Sequence, residues 1–201
     1  MAERAHPKEF TRFKKIKIFG LIPFLKANPY WKALHWRYEL ANKYCKSKNV
    51  LDIPCGMGWG TSLLKNANHV TGIDISEEAI SEAKLLYGNF AKFEVGSMNA
   101  IGYPEESFDT IVCLEGFEHV SEEIGDRFLI EASRVLKSKG TLVLSSPYPI
   151  VGTHSGNPYH IKEYRPEEVR EKLNNCGFIV LKENQRKVDQ LIMSIFVAQK
   201  N

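Results

Sequence analysis

The sequence predicts an α/β fold: a doubly wound, seven-stranded, mostly parallel sheet with an antiparallel hairpin at its C-terminal edge. Three observations carry this. The run Val50-Leu51-Asp52-Ile53-Pro54-Cys55-Gly56-Met57-Gly58-Trp59-Gly60-Thr61 reads as a short apolar strand, a glycine turn and the start of a helix. A second strand, His69-Val70-Thr71-Gly72-Ile73-Asp74, ends in an acid about 20 residues after Asp52, the separation at which such folds place the carboxylate that binds a nucleotide's ribose hydroxyls. From Val50 onward, strand and helix patterns alternate, which implies parallel strands with helices on both faces.

Taken in order, residues 1–48 form a segment of their own, expected to pack on the core as a lid or helical cover. Within it Phe10, Phe13, Ile16, Ile18, Phe19, Leu21, Ile22, Phe24 and Leu25 are interleaved with Arg12, Lys14, Lys15 and Lys17. Residues 10–25 are therefore also a candidate for peripheral contact with a membrane surface. After Pro29, Tyr30 to Ala41 reads as a helix, with Trp31, Leu34, Tyr38 and Ala41 on one face. Residues 49–201 form the ligand-binding domain. Its strands are expected near 50–54, 69–74, 90–95, 108–114, 140–146, 177–183 and 191–198, and its helices near 59–67, 76–88, 122–137 and 166–175. Ser76 followed by Glu77 and Glu78 starts a helix with a cap and first-turn acids. Gly88-Asn89 is expected to close that helix, and Lys139-Gly140 the one before the fifth strand. Only Asn184-Gln185-Arg186-Lys187 separates the last two strands, so these pair antiparallel.

Composition narrows the function. A chain of 201 residues suits one α/β domain, and a net charge of +3 with 25% charged residues gives no strong pull toward nucleic acid. The four cysteines are far apart, without the paired spacing of a zinc site, a redox dithiol or a disulfide framework. With no secretory signal and no apolar run of spanning length, the expected location is the cytoplasm. The turn is Gly-x-Gly-x-Gly rather than the Gly-x-Gly-x-x-Gly of dinucleotide binders, and no Gly-Lys-Ser/Thr follows for a P-loop.

Together these residues resemble the class I S-adenosylmethionine-dependent methyltransferases, with their Rossmann-like sheet. Leu51 to Gly58 matches that family's first motif, and Gly72-Ile73-Asp74-Ile75-Ser76 its second. Ser107 to Glu115 with Glu118-His119-Val120 matches the fourth strand and its loop, and Val135 to Leu142 resembles the lead into strand five. The resemblance implies S-adenosyl-L-methionine as cofactor, held by Asp52, Pro54, Cys55, Gly56, Gly58, Asp74, Ile75, Ser97, Met98 and Glu115. Two positions depart from the pattern: Pro54 replaces a glycine, and Gly96-Ser97 stands where the family has Gly-Asp. Ser97 accepts a hydrogen bond from adenine less strongly than a carboxylate does, and Met98 is expected to flank the ring. Glu115 is expected near the methionine moiety, or as a partner of backbone groups at the strand end.

The reaction implied is displacement at the sulfonium methyl, most simply O-methylation of a small-molecule or sugar/glycan-linked acceptor, with N- or C-methylation and cofactor binding without catalysis as alternatives. A hydroxyl acceptor profits from a base. The candidates are His119 after the fourth strand and His154 and His160 in the long loop after the fifth, where length and Gly/Pro/His/Tyr content point to function. Each histidine also has a structural use, capping a helix or pinning the loop. The spacing of His154, His160 and nearby acids matches no familiar ligand set, and no metal is expected.

Overall fold

The computed structural model describes residues 29–201; the basic aromatic stretch 10–25 lies outside them. Helix α1 (Pro29–Asn42) precedes β1 (Asn49–Asp52), β2 (His69–Asp74), α2 (Glu77–Tyr87), β3 (Lys92–Val95), β4 (Phe108–Cys113), α3 (Glu122–Val135), β5 (Leu136–Pro149), α4 (Pro166–Asn175), β6 (Phe178–Val188) and β7 (Leu191–Lys200). The seven strands form one sheet in the order β3-β2-β1-β4-β5-β7-β6. β1 to β5 pair in parallel, while β7 runs antiparallel to both β5 and β6.

Helices cover both faces, and the central strands show it residue by residue. Ile111 and Cys113 of β4, Leu142 and Leu144 of β5 and Phe196 and Ala198 of β7 join one core with Phe128, Leu129 and Ala132 of α3 and Val169 and Leu173 of α4. Their neighbours Val112, Val143, Ile195 and Val197 join a second core with Tyr38 and Ala41 of α1 and Ile80 and Ala83 of α2. Side chains of successive strand residues point to opposite faces. A strand buried on both sides is therefore apolar at every position, which is why these runs read as continuous rather than alternating.

Four local expectations need correction. The helix expected at 59–67 is only a 3₁₀ turn, Thr61–Leu63. Asn66 leaves it to bind α1, its N–H donating to Asn42 Oδ1 at 2.9 Å and its side-chain amide to the Asn42 carbonyl at 3.0 Å. The helix expected to run to 137 stops at Val135. The fully buried Leu136 already pairs with Phe108, and the chain bulges through Lys139 (φ 61°) before Thr141 pairs with Thr110. Lys139-Gly140 thus belongs to a bulge and not to a helix end. Gly88 does end α2, with right-handed φ (−60°), and a Cβ there would stand 2.5 Å from the Lys84 carbonyl oxygen. Finally, residues 184–187 continue β6; the hairpin turns at Asp189-Gln190, where Asp189 takes φ 55° between the paired Val188 and Leu191.

Candidate active site

The carboxyl ends of β1, β2, β4 and β5 bring the sequence-predicted residues to one edge, the edge at which open α/β sheets bind ligands. Asp52 is fully buried. It accepts from Thr61 Oγ1 at 2.6 Å and from the Tyr38 hydroxyl at 3.4 Å, tying the glycine turn to α1. Burial pushes its carboxyl up to about 7, against the pull of those two hydrogen bonds. Burial, reinforced by Asp52, raises the Tyr38 phenol well above its ordinary value and keeps it a donor. Asp74 accepts from the Gly56 N–H at 2.8 Å and the Ser76 N–H at 2.9 Å. Each of its oxygens has a second lone pair.

The three glycines of the turn serve different ends. At Gly56 (φ +53°) a Cβ would meet nothing within 4 Å, so this backbone is open to a ligand. At Gly58 (φ +78°) a Cβ would lie 2.8 Å from the Phe93 ring, and at Gly60 2.1 Å from the Tyr38 ring. Those two glycines permit close packing of the turn on the protein itself. Pro54 presses on Gly116, where a Cβ would stand 2.3 Å from the proline ring. Cys55 is buried, its N–H bound to the Ile73 carbonyl at 2.9 Å. Ile75 is 71% exposed beside Asp74, an apolar surface at the open edge. Ser97 donates to Asn99 Oδ1 at 2.6 Å. The Met98 side chain is buried in the first core with Ile73 and Ile101, in contrast to the open Ile75.

Glu115 sits at φ 56° just beyond β4, its N–H held by Ser145 Oγ at 2.9 Å. Its carboxylate pairs with the buried Arg37 at 2.8 Å. Glu115 Oε1 and Arg37 Nε are both buried without a hydrogen-bond partner, an arrangement that invites a polar ligand.

Farther along the same edge the loop after β5 folds back on the loop after β4. The Glu118 carbonyl accepts from the Ile161 N–H at 2.8 Å. This places the His119 ring 5.1 Å from that of His160, edge to face. His119 Nδ1 lies 2.9 Å from the Tyr159 carbonyl, and His160 Nδ1 contacts the Glu163 carboxylate. Glu163 in turn accepts from the Ser155 N–H and hydroxyl. Both imidazoles therefore carry their proton on Nδ1 when neutral, which leaves Nε2 basic. His154 is different: Nδ1 accepts from the Gly156 N–H and Nε2 faces the His160 carbonyl, both at 2.9 Å. Its two nitrogens hold the loop. Glu118 is fully buried; burial, reinforced by Glu115, pushes its carboxyl well above the usual carboxylate range.

Sequence reasoning missed Arg37, Tyr38 as a partner of Asp52, Glu118 as a site carboxylate, and Glu163. An acid three residues from His160 was a signal for Glu163, and adjacency to His119 one for Glu118. Nothing local marked Arg37.

The fold and this edge define a class, and comparison with known proteins agrees. The profile of the Methyltransf_11 family, a methyltransferase domain, matches residues 51–144. Together with the relatives and solved structures below, this match supports a class I S-adenosylmethionine-dependent methyltransferase. It is 28% identical over 164 residues to the Probable S-adenosylmethionine-dependent methyltransferase Rv3030 of Mycobacterium tuberculosis, covering 79% of this chain and 59% of that protein. It is 33% identical to the Ubiquinone biosynthesis O-methyltransferase of Nitrosospira multiformis, over 66% of this chain and 63% of that one. The chain thus spans about three fifths of the length of these relatives. Among solved structures, a SAM-dependent methyltransferase from Methanosarcina mazei has the same fold, with a TM-score of 0.70 and 21% identity over 80% of this chain and 96% of that one. So does the [4+2]-cyclase SpnF, with a TM-score of 0.75 and 19% identity over 87% and 84%. The family's methyl donor is S-adenosylmethionine. The open Gly56 backbone and the unpartnered Glu115 and Arg37 atoms fit it.

Proposed function

We propose that this chain methylates an oxygen of a small-molecule or sugar/glycan-linked acceptor. The carrying observation is the convergence of the basic His119 and His160 rings, the latter braced by Glu163, at the edge that fits the methyl donor. S-adenosylmethionine, when bound, supplies an electrophilic methyl on a leaving group that is already activated. The chain's residues do the rest. Asp74 and the Gly56 backbone hold the nucleoside, Ile75 gives its base an apolar face, and Glu115 with Arg37 receives the methionine end. The histidine cluster favours loss of the acceptor's hydroxyl proton. The oxygen pair then forms the O–C bond as the C–S bond breaks and its pair returns to sulfur. The Nitrosospira relative's name supports oxygen as the target. N-methylation is the second reading, because a further relative, 31% identical over half of this chain, is the Ajmaline N-methyltransferase of Rauvolfia serpentina.

We further infer peripheral membrane contact through residues 10–25 and a reducing, cytoplasmic setting, the latter supported by four cysteines that are all free. Among the described residues no helix is long and apolar enough to cross a membrane.

Calorimetry with S-adenosylhomocysteine tests the donor site, and an acceptor panel tests turnover. His160→Ala should lower turnover by about 10²–10⁴-fold, the usual worth of a positioned proton-transfer group, with cofactor affinity unchanged. Full turnover by this variant removes His160 from the chemistry. Binding without transfer to any acceptor favours a cofactor-binding module.

A further inference from the structure

The same loop-on-loop contact assembles a constellation that the residue spacing did not suggest. Glu118, His119 and His160 each present one ligating atom, and the three atoms lie within 4.8 Å of one another. Both Glu118 carboxylate oxygens are buried without a hydrogen-bond partner, and a buried polar group left unpaired is costly. The Nδ1 atoms of the two rings are already engaged, by the Tyr159 carbonyl and the Glu163 carboxylate. The nitrogen left to each ring is Nε2. Imidazoles that ligate metals are oriented in this way, with the second nitrogen donating to a carbonyl or carboxylate. Glu163 is fixed in turn by Ser155, and the Glu118 carbonyl fastens the two loops at Ile161. Two imidazoles and one carboxylate form a three-ligand set that leaves a coordination position for substrate.

We propose that Glu118, His119 and His160 bind a divalent cation of the zinc class, leaving one coordination position for the acceptor's oxygen. The imidazole content selects zinc and its first-row neighbours over magnesium, which prefers oxygen ligands and retains its waters. The site itself does not depend on the proposed methyl transfer; only its role does. In that role the cation lowers the pKa of the coordinated hydroxyl. With the cation bound, His119 and His160 favour loss of the hydroxyl proton through the metal they hold, and that proton passes to water before the O–C bond forms.

The test is calorimetric titration of chelator-treated full-length chain with Zn²⁺, alongside Co²⁺ absorption spectroscopy. The expected result is one equivalent of Zn²⁺ per chain and a Co²⁺ ligand-field spectrum. His119→Asn and His160→Asn should each weaken Zn²⁺ binding by more than about 100-fold, and Glu163→Gln, as a positioning change, by about 10–100-fold. S-adenosylhomocysteine binding is measured on every variant; its retention establishes that the variant is folded. Absence of stoichiometric Zn²⁺ binding overturns the proposal, as does unchanged affinity in the His119→Asn/His160→Asn double variant. Failure of wild-type chain to bind S-adenosylhomocysteine removes the donor reading and leaves the Zn²⁺ result standing.

Discussion

At the scale of single residues, the glycine turn separates two demands that look identical in sequence. Gly56 and Gly58 both have left-handed φ, yet only Gly56 faces open space, while Gly58 lies against Phe93. Gly56→Ala should therefore cost about 1–2 kcal/mol, the left-handed penalty alone. Gly58→Ala adds overpacking of about 1–3 kcal/mol. Urea denaturation should rank Gly58→Ala as the less stable variant, whereas calorimetry should show the larger selective loss of S-adenosylhomocysteine affinity in folded Gly56→Ala. The reverse ranking would assign the open space wrongly. Asp52 gives a pH signature. Its carboxyl rises from 3.8 to about 7 on burial, so the folded chain holds a proton that the unfolded chain releases. This contribution is fully present below about pH 4 and is lost as pH rises through 7. It amounts to a change on the order of 4 kcal/mol. Measured by denaturant midpoints, the stability of wild type minus that of Asp52→Asn should fall across this window. A flat difference would mean that Asp52 titrates alike in both states. The positions of Asp52 and Asp74 at strand ends were legible in the sequence. The full burial that raises Asp52 was not, because it arises from the packing of the whole fold and not from residues near it in sequence.

At the scale of elements, legibility followed the range of the interactions that define each one. Helix α4 begins and ends where its sequence signals place it, with Pro166 at the first turn and Glu168 reaching back to the Arg165 N–H at 2.8 Å. Helix α2 begins on Ser76, whose hydroxyl accepts from the Ala79 N–H at 3.2 Å. These are contacts within one turn of helix, and local sequence encodes them. The failures occurred where a distant partner decided the outcome. The segment after Gly60 gives up helix because Asn66 binds Asn42. Helix α3 gives up Leu136 because the sheet buries that side chain opposite Phe108. The loop after β5 stood out in the sequence by its length and residue types. Which of its histidines remains chemically available was not legible, because that depends on the partner of each ring nitrogen. His154 spends both nitrogens on the loop, while His160 keeps one.

At the scale of the whole molecule, the loop between β5 and α4 carries apolar side chains that the fold leaves exposed. Ile150, Val151, Tyr159 and Ile161 are exposed, at 43%, 85%, 43% and 61%, and all belong to the loop that carries His154 and His160. Where exposed apolar side chains form a contiguous patch, they mark contact with an apolar partner. The proposed membrane contact through residues 10–25 joins this observation to the basic aromatic segment at the N-terminus. Arg12, Lys14, Lys15 and Lys17 would each contribute about 1 kcal/mol at an anionic lipid surface, and the interleaved aromatics would add apolar burial. Among the described residues both cores are built from Leu34 onward, and a chain lacking residues 1–25 is expected to bind S-adenosylhomocysteine. Full-length chain should sediment with anionic vesicles at low salt and progressively less as salt screens the charges. The truncated chain should lose most of that binding, and Val151→Ser with Ile161→Ser should weaken what remains. Vesicle binding unaffected by the truncation would end the assignment to residues 10–25, and an effect of the serine pair alone would move the contact to the loop.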